Sequence, residues 1–141
     1  MRKSLIVILI IVILGVIGAI SYFVMNAGVN EKYAEFYILG INDKTGSYPT
    51  DIQVGKSTQV TVGIVNHEQK VTNYRIEVQV KGIINNEVTG IVLNPDEKWE
   101  NPVTFTVNQA GTNQKVEFFL YHASDKQPYL KPLLLWINVQ E

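Results

Sequence analysis

The hydrophobic pattern of this chain changes once, from a continuous apolar run to short alternating segments. Residues 5–25 contain no charged side chain. At about 1.5 Å of rise per residue, a helix of this length reaches roughly 30 Å, the thickness of a bilayer's hydrocarbon core. The pattern therefore predicts a transmembrane signal-anchor helix over residues 5–25, after a short segment 1–4 and before a linker, 26–32.

Charge and residue size around the apolar run bear on its orientation and its fate. Arg2 and Lys3 precede the run and the charges of residues 31–32 cancel, so the positive-inside rule predicts a cytoplasmic N-terminus and an extracellular C-terminal domain. A cleaved signal peptide is the alternative, because Ala19 and Ser21 have the small side chains of a cleavage site. The run favours a retained anchor, since it exceeds the roughly 7 to 15 residues of signal h-regions.

From residue 33 onward, apolar and polar residues alternate with period two, which is typical of strands with one buried face. The predicted strands are 33–39, 52–54, 60–64, 74–80, 90–93, 103–107, 116–120 and 133–139. Turn-forming residues lie at 43–47, 66–70, 85–86, 94–96, 110–113 and 124–128. About seven short strands predict an all-β fold over 33–141, an immunoglobulin-like antiparallel β-sandwich. Trp99 and Trp136 are expected to fill its core.

Composition narrows the chemistry of this β-domain. Two of the 12 basic residues precede the apolar run and all 13 acidic residues follow it, so the domain carries a formal charge of −3. A mildly acidic surface disfavours nucleic acid as a partner. The sequence has no cysteine, which excludes disulfides, thiolate metal sites and cysteine nucleophiles. Packing alone is therefore expected to hold the domain together.

Candidate chemistry centres on the two histidines. In immunoglobulin order, His67 ends the second strand and His122 ends the sixth, so both lie at one pole of the sandwich, where Glu68 and Asp125 are able to join them. A divalent-cation or proton-sensing site is one interpretation. Two solvated loop histidines are the favoured one, because nothing in the sequence fixes their separation.

Other motifs do not indicate catalysis or a metal. Asp96, Glu97 and Glu100 surround a turn, but they lack the glycine and alternating oxygen ligands of a calcium loop, so a solvated turn is favoured. No histidine metal-binding spacing, serine nucleophile elbow or glycine-rich phosphate loop occurs. We therefore predict a protein that is not an enzyme and has no cofactor.

The predicted topology also indicates where a partner binds. The first strand begins at the pole that carries both histidines, so a short linker holds that pole close to the bilayer. Loops 66–73 and 122–131 then face the membrane or a protein within it. The candidate partner-binding residues are His67, Glu68, His122, Lys126 and Tyr129.

Eight stretches spread over the β-domain form a recognisable set: 35–40, 48–50, 62–68, 73–74, 99–100, 114–118, 128–129 and 135–137. They resemble the family called domain of unknown function 1616, the C-terminal extracellular β-domain of largely archaeal membrane proteins. The resemblance implies a membrane-attached extracellular β-domain with no established activity. Many members have several membrane helices before this domain, whereas this chain has one, which puts any role of the multi-helix part in doubt here.

These observations favour a single-pass, non-enzymatic surface protein whose β-sandwich is an interaction or assembly module of the cell envelope. A pilin-like filament subunit is the first alternative. It is disfavoured because residues 3–5 lack the glycine or alanine of a pilin cleavage site and no glutamate lies early in the apolar run. A metal-dependent binder of envelope polymers is the second alternative.

Overall fold

The computed structural model describes residues 2–26, 32–40 and 48–141, and the chain forms two units. The first unit contains helix α1, Arg2–Asn26, whose apolar side chains are exposed. Within the described ranges, this is the one helix long and apolar enough to cross a membrane. It extends the predicted helix at both ends. Most of the predicted linker and the predicted turn at 43–47 lie outside the described residues.

The second unit, Tyr33–Glu141, is the predicted immunoglobulin-like β-sandwich. Its strands are β1 Tyr33–Leu39, β2 Asp51–Gln53, β3 Ser57–His67, β4 Thr72–Val80, β5 Ile83–Leu93, β6 Lys98–Thr106, β7 Gly111–His122 and β8 Leu133–Gln140. One sheet has the order β1-β3-β6, and the other has the order β2-β8-β7-β4-β5. All neighbours are antiparallel except β2, which runs parallel to β8.

The core lies between the two sheets and follows the alternation of the sequence. On β4, Tyr74, Ile76 and Val78 are fully buried. Phe105 of β6 meets Phe118 of β7 edge to face, with ring centroids 6.3 Å apart, so aromatic packing joins the two sheets. This core explains how a domain without disulfides is held together.

The prediction that both tryptophans fill the core is wrong for one of them. Trp99 is half-buried and packs against the core from β6, but Trp136 is 53% exposed on β8. The reason is the period of the strand: Leu135 and Ile137 are buried, so the residue between them must point outward.

The predicted turn at Asn85 and Asn86 is also wrong, because both residues lie inside β5. The chain reverses earlier, at Lys81 and Gly82, which have φ angles of 52° and 78°. Two residues with positive φ form a hairpin turn whose twist matches that of the strands. The two asparagines instead bridge the sheets: the Asn85 amide exchanges two hydrogen bonds with the Thr106 backbone, and Asn86 Nδ2 donates to the Thr104 carbonyl.

A row of three residues crosses the outer face of the three-stranded sheet. Tyr37 on β1, Gly63 on β3 and Glu100 on β6 are in register. A Cβ atom on Gly63 would lie 2.1 Å from Tyr37 Cζ, so the tyrosine ring lies directly on the glycine. Its hydroxyl then donates to Glu100 Oε2 at 2.6 Å. Glycine is required here for close approach of the ring.

This row predicts a pH dependence of stability in the alkaline range. Burial, together with the hydrogen bond to Glu100 and the charge of Glu100, raises the pKa of Tyr37 to about 12. The folded state therefore favours the neutral phenol, whose contribution is present below about pH 10 and is lost as the pH rises to about 12. We expect a Tyr37→Phe variant to lose less stability than the parent over this interval, measured by urea unfolding. An equal loss in both proteins would contradict the assignment.

Candidate functional site

One end of the sandwich carries both histidines, because β3 and β7 finish there. We call the histidine pole the loops 68–71, 94–97 and 123–132 together with His67 and His122. The first loop joins β3 to β4, the second joins β5 to β6, and the third joins β7 to β8. Tyr33, the first residue of β1, pairs with His67, so the chain enters the sandwich at this pole.

His67 lies between two carboxylates that come from different elements. Its Nδ1 is 3.1 Å from Asp96 Oδ1 in the β5–β6 loop, and its Nε2 is 3.5 Å from Glu35 Oε2 on β1. The imidazole ring packs on Tyr33, with centroids 4.8 Å apart. Two carboxylates and one tyrosine ring therefore surround the His67 side chain, which is 27% exposed.

His122 lies in a similar arrangement with a much more buried partner. Its Nε2 is 2.9 and 3.1 Å from the two carboxylate oxygens of Glu68, and its Nδ1 is 3.4 Å from Asp125 Oδ2. Tyr129 packs against the ring, with centroids 4.2 Å apart. His122 therefore joins the β3–β4 loop to the β7–β8 loop.

Glu68 is 6% exposed, and a buried carboxylate needs donors to compensate its lost hydration. Tyr74 donates a short hydrogen bond to Glu68 Oε2, and Tyr129 also bonds to Glu68. Burial is the main cause that raises the pKa of Tyr74 and of Tyr129, and Glu68 raises both further. At neutral pH both phenols are therefore neutral donors that hold the carboxylate, not bases.

Asn66, whose side chain is fully buried, connects Glu68 and Tyr74 to the rest of the pole. Its Nδ2 donates to the carbonyls of Lys70, Leu93 and Asn94, at 2.8, 2.9 and 3.2 Å. Its Oδ1 accepts from the Glu68 backbone N–H at 2.9 Å and lies 3.2 Å from the Tyr74 hydroxyl oxygen, whose proton is shared with Glu68. One amide thus fixes the β3–β4 loop and the end of β5.

The structure places the predicted residues at one pole, where each histidine has its own carboxylate partners. Glu68 and Asp125 both contact His122, whereas His67 pairs with Asp96, a residue expected in a solvated turn. Lys126 is exposed in the β7–β8 loop, three residues before Tyr129.

The sequence interpretation did not identify Asn66 or Tyr74 as part of this site. Asn66 reads as an ordinary turn residue at a strand end, and Tyr74 as a core residue of β4. A polar residue at the end of an apolar strand is the only signal in the sequence, and it does not distinguish a buried Asn66 from an exposed one.

The three acidic residues considered for calcium do not form one site. Glu97 Oε2 accepts from the Asn94 backbone N–H at 2.7 Å, Asp96 contacts His67, and Glu100 accepts from Tyr37. Within residues 2–26, 32–40 and 48–141, no group of three histidine or acidic side chains is arranged to hold a metal ion. At each histidine, the two carboxylates lie on opposite ring nitrogens and so do not converge on one point.

Comparison with known proteins supports the fold. The CARDB domain of the PF1109 protein from Pyrococcus furiosus, solved in complex with di-metal ions, has a TM-score of 0.57 at 15% identity, over 78% of this chain and 94% of that one. A β-glucosidase from Listeria innocua, in complex with glucose, has a TM-score of 0.52 at 17% identity, over 77% of this chain but only 16% of that one.

At these identities the two likenesses show a shared fold alone. A search among curated proteins finds no match to this sequence. A family model does match, over residues 27–138, which is most of the chain. The family resemblance noted in the sequence is thereby confirmed, and the chain belongs to the family described as Domain of unknown function (DUF1616).

Proposed function

We propose that this protein is a single-pass, non-enzymatic surface protein whose β-sandwich is an interaction or assembly module of the cell envelope, and that the histidine pole contacts its partner. One observation carries the proposal: the loops of this pole are held in place by a buried polar network around Asn66 and Glu68. Buried networks of this kind fix loop conformation, and preorganised loops lose less entropy on binding.

The surface above this network suits a protein partner. A cleft of about 430 Å³ lies between the β3–β4 and β7–β8 loops and is lined by Lys70, Val71, Thr72, Asn73, His122, Ala123 and Ser124. Val71 is 58% exposed at its rim. An exposed apolar residue beside Lys70, Asn73 and Ser124 provides an apolar contact with a polar rim, which is the usual arrangement of an interface.

The proposal includes an orientation. Arg2 and Lys3 favour a cytoplasmic N-terminus, which makes the β-sandwich extracellular. We infer that the partner is itself a membrane or envelope protein, because the apolar helix would hold the β-sandwich at the cell surface.

Crosslinking of the full-length protein in its native membrane, followed by mass spectrometry, tests this function. We expect a specific membrane partner that is lost when Lys126 and Tyr129 are both changed to alanine, because both residues lie in the loop beside the cleft. Lys56→Ala is the matched control, since Lys56 is exposed in the turn between β2 and β3, at the other end of the sandwich. Tryptophan fluorescence of each variant reports whether the fold is intact.

The other outcomes contradict the proposal in distinct ways. A partner retained in the double variant would remove the histidine pole from the interface. Ladders of self-crosslinks without another protein would favour a polymerising, pilin-like role. No crosslink in the parent would direct attention to soluble ligands.

A further inference from the structure

Both histidines of this sequence lie at the histidine pole, and each ring nitrogen of each histidine faces a carboxylate. Glu35 and Asp96 flank His67, while Glu68 and Asp125 flank His122. Four different elements supply these carboxylates: β1 and the three loops of the pole. Both histidines of the chain therefore take part in the contacts that hold these loops and β1 together.

The chemistry of imidazole makes such an arrangement sensitive to protons. Ionised carboxylates only accept hydrogen bonds, and imidazole donates from both nitrogens only in its protonated form. The neutral ring donates from one nitrogen and turns a lone pair towards the other carboxylate. Loss of the proton must therefore weaken one of the two contacts at each histidine.

We propose that His122 is a proton-sensing latch of the β7–β8 loop, which holds Asp125 when protonated and releases it when neutral. Of the two carboxylates that face His122, Glu68 is the closer, at 2.9 Å, and its side chain is only 7% exposed. The one N–H of the neutral ring therefore stays bonded to Glu68. Asp125 is 3.4 Å away and its side chain is 58% exposed, so it can move into solvent at little cost. The latch thus opens at the β7–β8 loop and leaves the buried carboxylate bonded.

Two phenols and two basic side chains lie around His122 and its carboxylates. Burial raises the pKa of Tyr74 on β4 and of Tyr129 in the β7–β8 loop, so both stay neutral. Arg75 on β4 donates to the Asp125 carbonyl at 3.1 Å, and Lys70 lines the cleft beside His122. An unperturbed imidazole titrates between about pH 5 and 8.

The latch matters because the β7–β8 loop carries Lys126 and Tyr129, the residues proposed to contact the partner. This inference rests on the proposed function for its biological meaning, but not for its test. If both hold, a mildly acidic medium orders the loop and strengthens the interaction, and an alkaline medium weakens it.

Hydrogen exchange of the full-length protein in detergent micelles, followed by NMR between about pH 5 and 8, tests the latch without any partner. We expect the protection of backbone amides in residues 123–130, corrected for intrinsic exchange, to fall as His122 loses its proton. The expected factor is about two to five, the size that a partly exposed ion pair supports. The midpoint of the fall should match the titration of the His122 ring.

Variants separate the latch from a general effect of pH. His122→Gln should show the low protection of the alkaline state at every pH, and Asp125→Asn should remove the pH response. His67→Gln is the matched control and should keep the response of residues 123–130, because His67 contacts other elements. Protection that does not follow the His122 titration, or a response that survives in His122→Gln, would overturn the latch.

The two proposals fail in different measurements. A partner that crosslinks equally at both ends of the pH range, with a loop whose protection does follow His122, would retain the latch and reject its regulation of binding. Absence of a partner at every pH would reject the proposed function and leave the exchange result unaffected.

Discussion

Replacing Gly63 with alanine is expected to destabilise the β-sandwich by about 2–4 kcal/mol, although alanine ordinarily stabilises a strand relative to glycine. The added Cβ would lie 2.1 Å from Cζ of Tyr37, well inside any van der Waals contact. The tyrosine ring must move away, and its hydroxyl then loses the 2.6 Å hydrogen bond to Glu100. The free energy of unfolding is measured by urea titration of the full-length protein in micelles. Tryptophan fluorescence is a suitable probe because both tryptophans belong to the sandwich.

A double-mutant cycle identifies the cause. Tyr37→Ala removes the ring that blocks the new methyl group, so adding Gly63→Ala to that variant should cost little or should stabilise it slightly. Tyr37→Phe keeps the ring and loses only the hydrogen bond, so Gly63→Ala should remain costly in that background. Equal costs of Gly63→Ala in all three backgrounds would show that the ring is not the reason for the glycine.

The sequence predicts much of this fold because strand alternation is a local property. The period-two pattern on β4 places Tyr74, Ile76 and Val78 in the core, and the structure confirms it. The same rule, applied strictly, also places Trp136 outside, since Leu135 and Ile137 point inward. The prediction for Trp136 is wrong because the period of the strand, and not the general preference of tryptophan for burial, decides which way the side chain points.

Other features were not predictable, because they depend on pairs distant in sequence. The fit of Tyr37 on Gly63 requires the β1–β3 register, which no local pattern contains. The hairpin turn at Lys81 and Gly82 was missed because lysine rarely adopts positive φ, whereas the asparagines at 85–86 carry the stronger turn signal.

In the candidate site too, some features follow from the topology and others depend on contacts between residues that are distant in sequence. Immunoglobulin topology alone brings His67 and His122 to one pole, and the structure places them there. Which carboxylate pairs with which histidine depends on loop conformation, so Asp96 was not foreseen as a partner of His67. The role of Asn66 depends on three carbonyls from two separate loops and a strand end, which only the assembled fold brings together.

Asn66 is the residue whose loss should disturb the histidine pole most. Its side chain has five hydrogen-bonding contacts, in which the two N–H groups of Nδ2 are shared among three carbonyls. Asn66→Ala removes them together and leaves carbonyls of the β3–β4 and β5–β6 loops without a donor. Because unsatisfied buried polar groups cost about 1–3 kcal/mol each, and because water can enter to replace some of them, we expect a net destabilisation of about 3–5 kcal/mol.

A comparison of two Asn66 variants shows whether the amide donors carry this effect. Asn66→Asp keeps the shape of the side chain and the acceptor oxygen, but it places a carboxylate against three carbonyls. It should therefore destabilise at least as much as alanine at neutral pH, measured by urea unfolding. Asn73→Ala is the matched control, since Asn73 is exposed on β4, and it should change stability by less than about 0.5 kcal/mol. If Asn66→Asp were as stable as the parent, the donors to Lys70, Leu93 and Asn94 would not be what holds the pole together. The argument that these loops are held in place before the partner binds would then also fail.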